Sequence, residues 1–323
     1  MKKYELLVID SGQHYDYEMS KVFIDELKFP KVMNLDVGSG WHGVQTAKII
    51  EKTEWILTTL KQDLAIVVGD TNTTLGGAIA ASKLGIPIAH VEAGCRMWDL
   101  NIPEEINRQA TDAISTYHFA PSGIAFSNLT RENKDPFFSG DTLYDVLKEQ
   151  LPKAKTIDTL KNMGIVYDYV LATIHRNFNV DEPEILQRIF EGLSKSPYPV
   201  ILPCHPRTRG KLAFVKIPKN VRITMPVGYH DMLNLTRRAT AVVTDSGGVQ
   251  REAFWLGVPC FTLRDFTEWT ETVQLGANFL VGCKPENIAY YLNHVPLFPK
   301  IKCHPFGQGD ASKKIIEYLE RKL

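Results

Sequence analysis

The stretch Ala241-Val242-Val243-Thr244-Asp245-Ser246-Gly247-Gly248-Val249-Gln250-Arg251-Glu252 decides how this chain is read. An apolar, β-branched run reads as a buried strand, the two glycines as the turn after it, and the remainder as the opening of a helix. Small residues at such a turn let backbone N–H groups approach a pyrophosphate, and the helix N-terminus adds a favourable partial charge. Glu252 lies six residues beyond Ser246, roughly 9 Å along a helix that rises 1.5 Å per residue. That span suits a carboxylate accepting both ribose hydroxyls of a bound nucleotide. A plainer reading stands beside it, with Ser246 as an N-cap and the glycines as a tight turn.

The same strand–turn–helix unit recurs in both directions from this stretch. Strand candidates in the first half are residues 5–9, 32–37, 64–68, 86–91, 117–120 and 137–139. Those in the second half are 169–174, 200–204, 221–224, 241–244, 260–263 and 279–281. Amphipathic segments such as 41–59, 104–115, 182–193 and 231–238 lie between them. This alternation predicts an α/β protein with parallel sheets covered on both faces. Pro152, Lys153 and Lys155 break the pattern, which divides the chain into an N-terminal Rossmann-like domain over 1–150, a linker over 151–166 and a second such domain over 167–304. A final helical segment, 305–323, follows a glycine-rich run and has either domain open to it. Doubly wound sheets bind ligands at the carboxyl ends of their strands, so two of them facing each other would place the site in the cleft between.

Composition narrows the class of ligand. The chain has 323 residues, 44% hydrophobic and 23% charged, with 37 basic and 37 acidic side chains. A balanced charge offers no global field for nucleic acid or an anionic membrane, so an anionic ligand has to be held by local features. Cys95, Cys204, Cys260, Cys283 and Cys303 are scattered without CxxC pairs or metal-ligand spacing. They read as buried free thiols of a reducing, cytoplasmic protein. The first apolar run ends at Asp10, too short for a signal peptide or a membrane span.

Chemistry-bearing residues gather at predicted strand ends. Asp70 closes the run 65–70 and Glu92 the run 86–92, while Glu104 and Arg108 open the helix that follows. Carboxylates converging on one site would suit proton abstraction and return at a carbon centre. The alternatives are solvated loop acids and, for Glu104 and Arg108, an intrahelical ion pair four residues apart. His175 follows the strand 169–174, His205 the strand 200–204, and Arg264 the strand 260–263. A histidine there is a site candidate or a structural histidine, and the cations suit phosphate. Gly38-Ser39-Gly40-Trp41-His42-Gly43 is a literal GxGxxG, but the next strand-end acid is Asp70, 27 residues after Gly43. That is later than a dinucleotide fingerprint needs, so a nicotinamide cofactor is not expected.

Over nearly its whole length the chain resembles the non-hydrolysing UDP-N-acetylglucosamine 2-epimerases. The matching motifs are Gly12-Gln13-His14, Gly69-Asp70-Thr71-Asn72-Thr73-Thr74, His90-Val91-Glu92-Ala93-Gly94 and Pro103-Glu104-Glu105-Ile106-Asn107-Arg108. They continue through His175-Arg176, Asp245-Ser246-Gly247-Gly248-Val249-Gln250 and Arg264-Asp265-Phe266-Thr267-Glu268. The resemblance implies two Rossmann-like domains in the GT-B-like arrangement, a site in the interdomain cleft and a homodimer. It implies anti elimination of UDP to a glycal-type intermediate and re-addition on the opposite face of C2, with no metal or nicotinamide. By position, Asp70, Glu92 and Glu104 would be the acid/base carboxylates. His175 would assist departure of the UDP phosphate and Arg108 would support the site. Ser246, Gly247, Gly248 and Glu252 would hold the UDP, with His205 and Arg264 beside them. Some relatives are activated by a second substrate molecule near positions matching Gln13 and His14, which gives these two a regulatory expectation.

Two departures accompany the resemblance. Relatives open with a strand, a GTRPE-type loop and a helix that this chain does not match, so the expectation is either a start upstream of Met1 or a site lacking that loop's basic residues. The family's His-Arg-Arg/Glu-Glu-Asn run reads His175-Arg176-Asn177-Phe178-Asn179, with Phe178 in an acidic position. The leading expectation is epimerisation of UDP-N-acetylglucosamine at C2. The wording near Gly38-Ser39-Gly40, Pro226-Val227-Gly228-Tyr229 and Thr267-Glu268-Trp269 equally resembles a sister group acting on UDP-2,3-diacetamido-glucuronate. A hydrolysing epimerase, a UDP-sugar-binding protein without turnover and a glycosyltransferase of the same architecture complete the set. The strand-end carboxylates weigh against the last, because glycosyl transfer needs no proton transfer at C2.

Overall fold

The computed structural model describes residues 4–12, 26 and 32–323. In chain order the first described elements are β1 (Val8–Asp10), β2 (Val32–Asn34), α1 (His42–Leu60), β3 (Ala65–Val68), α2 (Asn72–Lys83) and β4 (Ile88–Val91). Then come α3 (Pro103–Ile114), β5 (Tyr117–Ala120), α4 (Gly123–Arg131), β6 (Pro136–Phe138), α5 (Thr142–Ala154) and α6 (Thr159–Asn162). The next are β7 (Val170–Thr173), α7 (Asn177–Val180), α8 (Pro183–Leu193), β8 (Val200–Pro203), α9 (Pro206–Arg209) and β9 (Val221–Thr224). The chain ends with α10 (Tyr229–Arg238), β10 (Ala241–Thr244), α11 (Gly247–Leu256), β11 (Cys260–Thr262), α12 (Thr270–Gln274), β12 (Asn278–Leu280), α13 (Pro285–Asn293) and α14 (Ala311–Lys322). All described strand pairs are parallel.

The chain divides into two compact units, Met1–Asp145 with His304–Leu323, and Val146–Cys303. In the second unit the six strands lie in the order β12-β11-β10-β7-β8-β9. That is the doubly wound order, and its reversal falls between β7 and β10. The strands explain their own burial. Val170 and Ala172 of β7, with Val200, Leu202, Ala241 and Val243, pack on one face against Leu186, Ile189, Phe190 and Leu193 of α8. Leu171, Ile201 and Val242 face the other way, onto Leu235 of α10 and Ala253 of α11. Both faces of each strand are apolar, so the strands read as continuous runs rather than alternations.

The first unit holds a four-stranded sheet, β3-β4-β5-β6, and the pair β1-β2. The segment expected as strand 32–37 is assigned as strand only to Asn34, but its pairing goes on. Leu35 donates to the Asp10 carbonyl at 2.8 Å and Val37 to that of Ser11 at 3.0 Å. Asp36, at φ +48°, then kinks the chain. The C-terminal helix α14 belongs to this unit. Its Ile315, Tyr318 and Leu319 pack on Ala89, Val91, Phe119 and Phe137, and the Asp145 carboxylate accepts from the first-turn N–H groups of Ala311 (3.0 Å) and Ser312 (2.6 Å).

Within residues 151–166, α5 runs through Pro152 to Ala154 and α6 covers Thr159–Asn162. The segment is tied to α10 by Asn234, which donates to the carbonyls of Ala154 and Ile157 and to Thr159 Oγ1. The cysteines are all free, but only Cys95, Cys204 and Cys260 are buried; Cys283 is half-buried and Cys303 is exposed. Lys302 and His304 flank Cys303, so no apolar run carries it inward.

Burial raises the Cys204 thiol pKa and pushes that of Cys260 up to about 12. A thiol reagent at neutral pH should therefore label Cys303 first, with Cys204 and Cys260 reacting only on unfolding. Peptide mapping after brief labelling checks this, and early modification of Cys260 would contradict the packing described.

Candidate active site

In the second unit the glycine turn sits at the topological reversal. Ser246 caps α11, its Oγ accepting from Val249 N–H at 3.4 Å, and Ser246 N–H donates to Thr244 Oγ1 at 3.0 Å. The plainer N-cap reading of Ser246 is therefore realised, and it is compatible with anion binding. The first N–H groups of a helix lack intrahelical partners, and Ser246 occupies only that of Val249. Gly247 has a packing reason as well: a Cβ there would lie 2.8 Å from Glu268 Oε1 and 2.9 Å from Trp269 Nε1. Glu252 lies on α11 and is buried.

Asp245 organises this edge. It is wholly buried and accepts from the backbone N–H groups of His175 (3.0 Å) and Arg176 (2.9 Å) and from Asn179 Nδ2 (3.1 Å). His175 Nδ1 lies 3.2 Å from the same carboxylate. The carboxyl ends of β7 and β10 are thereby joined through one side chain. The His175 ring stacks on that of His205, with centroids 5.3 Å apart, and His205 caps α9 by accepting from Arg207 N–H. Arg264 is nearly buried, pairs with Glu268 at 2.9 Å and lies over the Phe266 ring. Its charge is thus already paired with a carboxylate on the Gly247 side of the turn. The sequence reading had treated it simply as a phosphate cation.

In the first unit Asp70 and Glu92 leave the adjacent strands β3 and β4, whose register pairs Val68 with Val91. Glu92 has φ +67°, and a Cβ on Gly69 would stand 3.5 Å from Glu92 Oε2. The Glu92 carboxylate therefore overhangs the turn that carries Asp70. Arg108 binds Asp70 with Nη2 and Glu105 with Nη1, the latter at 2.7 Å. Glu104 is half-buried in the first turn of the same helix. Gln13 and His14 lie outside the described residues.

The helix α3 buries a polar face. Glu105, Asn107, Arg108, Thr111 and Asp112 are buried, while Ile106 is exposed. Glu105 accepts from the backbone of Met97 and Trp98, and Asn107 Nδ2 donates to the Asp70 carbonyl at 2.9 Å and to Asn72 Oδ1 at 3.1 Å. Asn72 in turn reaches Gln45 and His42. Glu105, Asn107 and Asp245 stand in the matched motifs without a role of their own, and Asp112 was not singled out from the sequence. The signal available was polar residues at helical spacing in 105–112, and an acid directly after the strand at 241–244. In the GxGxxG segment Gly38 has φ +74°, and Gly40 and Gly43 have open space where a Cβ would sit.

Asp112 lies at the centre of a second buried network. Burial alone would raise its pKa, but the hydrogen bond and charge of His90, followed by those of Arg96, hold it below the ordinary carboxylate value. Arg96 also grips Glu132 through two nitrogens, at 2.8 and 2.6 Å. Among the described residues, no group of three or more histidine, cysteine or carboxylate side chains is placed to hold a metal ion. No described helix is long and apolar enough to cross a membrane.

Two Rossmann-like units, one with acids and the other with a glycine turn at its strand ends, put the protein in the GT-B-like class of α/β enzymes. The sequence model of the UDP-N-acetylglucosamine 2-epimerase family matches residues 1–320, and the chain belongs to that family of UDP-sugar isomerases. A UDP-N-acetylglucosamine 2-epimerase homolog of Methanococcus maripaludis is 45% identical over 98% of this chain and 92% of its own length. The UDP-2,3-diacetamido-2,3-dideoxy-D-glucuronate 2-epimerase of Pseudomonas aeruginosa is 40% identical over 98% of this chain and 91% of its own. The crystal structure of the Methanocaldococcus jannaschii UDP-GlcNAc 2-epimerase with UDP-GlcNAc and UDP superposes with a TM-score of 0.90 at 42% identity, covering 97% of this chain and 91% of that one.

Gly94, at φ +81°, would bring a Cβ within 2.3 Å of the Ala125 carbonyl oxygen and 2.7 Å of Leu129. Gly94→Ala should cost about 2 kcal/mol or more. Gly43→Ala, in open space on a helix, should be neutral or stabilising by up to about 1 kcal/mol. Thermal melts of the two variants check the contrast, and equal midpoints would refute it.

Proposed function

We propose that this protein interconverts UDP-N-acetylglucosamine and UDP-N-acetylmannosamine. The observation that carries the proposal is the pair Asp70 and Glu92 on neighbouring parallel strand ends, with Arg108 fixing Asp70. One carboxylate takes the C2 proton, and the electron pair of the C2–H bond forms the C1–C2 double bond. The C1–O bond breaks with its electrons going to the β-phosphate oxygen, which leaves 2-acetamidoglucal and UDP. Re-addition returns the phosphate oxygen to C1, and a second carboxylate delivers a proton to the opposite face of C2. The separate acids for the two faces come from the set Asp70, Glu92 and Glu104.

His175 serves the departing phosphate, oriented by Asp245 and stacked on His205. Ser246, Gly247 and Gly248 hold the diphosphate at the α11 N-terminus, Glu252 takes the ribose hydroxyls, and Arg264 supports the turn through Glu268. Arg108 keeps Asp70 in place. In this reading the catalytic carboxylates belong to a domain over 1–150 joined by the final helix, and the nucleotide to a domain over 167–304. The protein works as a cytoplasmic homodimer without a metal or nicotinamide, and Gln13 and His14 mark a regulatory position. A second substrate, UDP-2,3-diacetamido-glucuronate, is favoured by the 40% identity to the Pseudomonas enzyme.

Proton NMR of UDP-N-acetylglucosamine with the protein in D₂O should show deuterium entering C2 as UDP-N-acetylmannosamine forms. Exchange with UDP-2,3-diacetamido-glucuronate alone would move the assignment to that sugar, and exchange with neither would refute epimerisation. Asp70→Asn and Glu92→Gln should each lower turnover by about 10²-fold or more, with UDP affinity little changed. Near-normal turnover in either would remove that residue from the mechanism. Glu252→Ala should instead weaken UDP binding by about tenfold or more, as titration calorimetry would measure.

A further inference from the structure

Two of the candidate acid/base carboxylates, Asp70 and Glu92, leave the sheet on separate loops, and one buried pair of side chains touches both loops. His90 is the third residue of β4 and is wholly buried. Its Nε2 lies 2.9 Å from the carbonyl oxygen of Gly69, the residue before Asp70. Its Nδ1 lies 2.6 Å from Asp112 Oδ1. A carbonyl and a carboxylate both accept, so both ring nitrogens donate, as in the imidazolium form. The other Asp112 oxygen accepts from Gly94 N–H at 3.1 Å, two residues beyond Glu92, and from Arg96 Nη1 at 2.7 Å. The remaining neighbours complete the charge count. Arg96 binds Glu132, and His118 Nε2 donates to the Asp112 carbonyl at 2.8 Å.

We infer that Asp112 and His90 are positioning residues for the reaction: through one carboxylate and one imidazole they lock the Asp70 turn to the Glu92 turn, and so set the separation of the two acids. Both side chains are wholly buried. Asp112 holds the Gly94 amide directly and the Gly69 carbonyl through His90, so one rigid bridge spans the ends of β3 and β4. Gly69 N–H donates to the Val91 carbonyl at 3.0 Å and the Gly94 carbonyl accepts from Asn128 Nδ2 at 3.0 Å, and the bridge adds side-chain contacts to both turns. A geometry that must return a proton to the opposite face of one carbon tolerates little misplacement. The inference rests on the assignment of Asp70 and Glu92 made above, and the test separates the two.

His90→Asn keeps a donor where Nδ1 stood and removes the one facing Gly69. His90→Gln keeps a donor at Nε2 and abandons Asp112. Each should lower kcat by about 10- to 100-fold, while KM and UDP affinity stay within about threefold, the mark of an interaction expressed in the transition state. Asp70→Asn and Glu92→Gln are measured beside them. If those two keep turnover, the site assignment fails. If they lose it while a folded His90→Asn retains wild-type kcat, the positioning inference fails. In the wild-type protein, nitrogen-15 NMR should show both His90 ring nitrogens protonated and slow to exchange. A ring with one bare or rapidly exchanging nitrogen overturns the proposal whatever the variants do.

Discussion

A parallel ladder sends all its carboxyl ends to one edge, and every described strand pair here is parallel. Helices cover the faces, so the edge is where the chain leaves the sheet and where backbone groups lose their ladder partners. In the second unit the order reverses between β7 and β10, and the loops that follow them diverge to opposite faces. The divergence opens a crevice. It also creates a structural demand, because two diverging loops share no backbone hydrogen bonds.

In the second unit a buried carboxylate meets that demand; in the first, where β3 and β4 follow in order and Gly69 N–H already donates to the Val91 carbonyl at 3.0 Å, another ties neighbouring loops. Asp245 ties the loop after β7 to the end of β10 by accepting from two backbone N–H groups and the Asn179 amide. Asp112 ties the loops after β3 and β4 through His90, Gly94 and Arg96. A buried carboxylate is costly by itself, and removing one partner of such a pair costs about 3–5 kcal/mol. That asymmetry makes these residues useful as locks. Each accepts several donors in fixed directions, so the loops cannot move apart without stranding a charge. Around Asp112 the signs balance, with His90 and Arg96 facing Asp112 and Glu132.

Strand positions were legible because their physics is local. Short runs of aromatic and β-branched residues have few alternatives, and the runs at 117–120, 221–224 and 241–244 fall on the observed strands. The candidate residues at strand ends were legible for the same reason. The locks were not. Helix α3 shows a clear periodicity, but periodicity gives the axis of an amphipathic helix without saying which side is wet, and burial of charge is the rarer outcome. Glu105, Asn107, Arg108 and Asp112 face inward because partners on other loops are waiting for them. Those partners lie 7 to 38 residues away in the chain, beyond what spacing within one helix reveals. Cys303 escaped for the converse reason, since residue type suggested burial while its neighbours Lys302 and His304 kept it outside.

The departure at Phe178 gains a physical meaning from the same frame. In the run His175 to Asn179, the work of joining β7 to β10 is done by the backbone N–H groups of residues 175 and 176 and by the Asn179 amide, which also reaches the Leu263 carbonyl at 3.0 Å. Asn179 is buried, while Phe178 stands exposed on the short helix α7. An acidic residue can therefore become a phenyl ring at 178 without disturbing the lock, because no part of the lock passes through that side chain. Phe178 lies on the exposed side of α7, so its side chain can change while the strand-end geometry stays as it was.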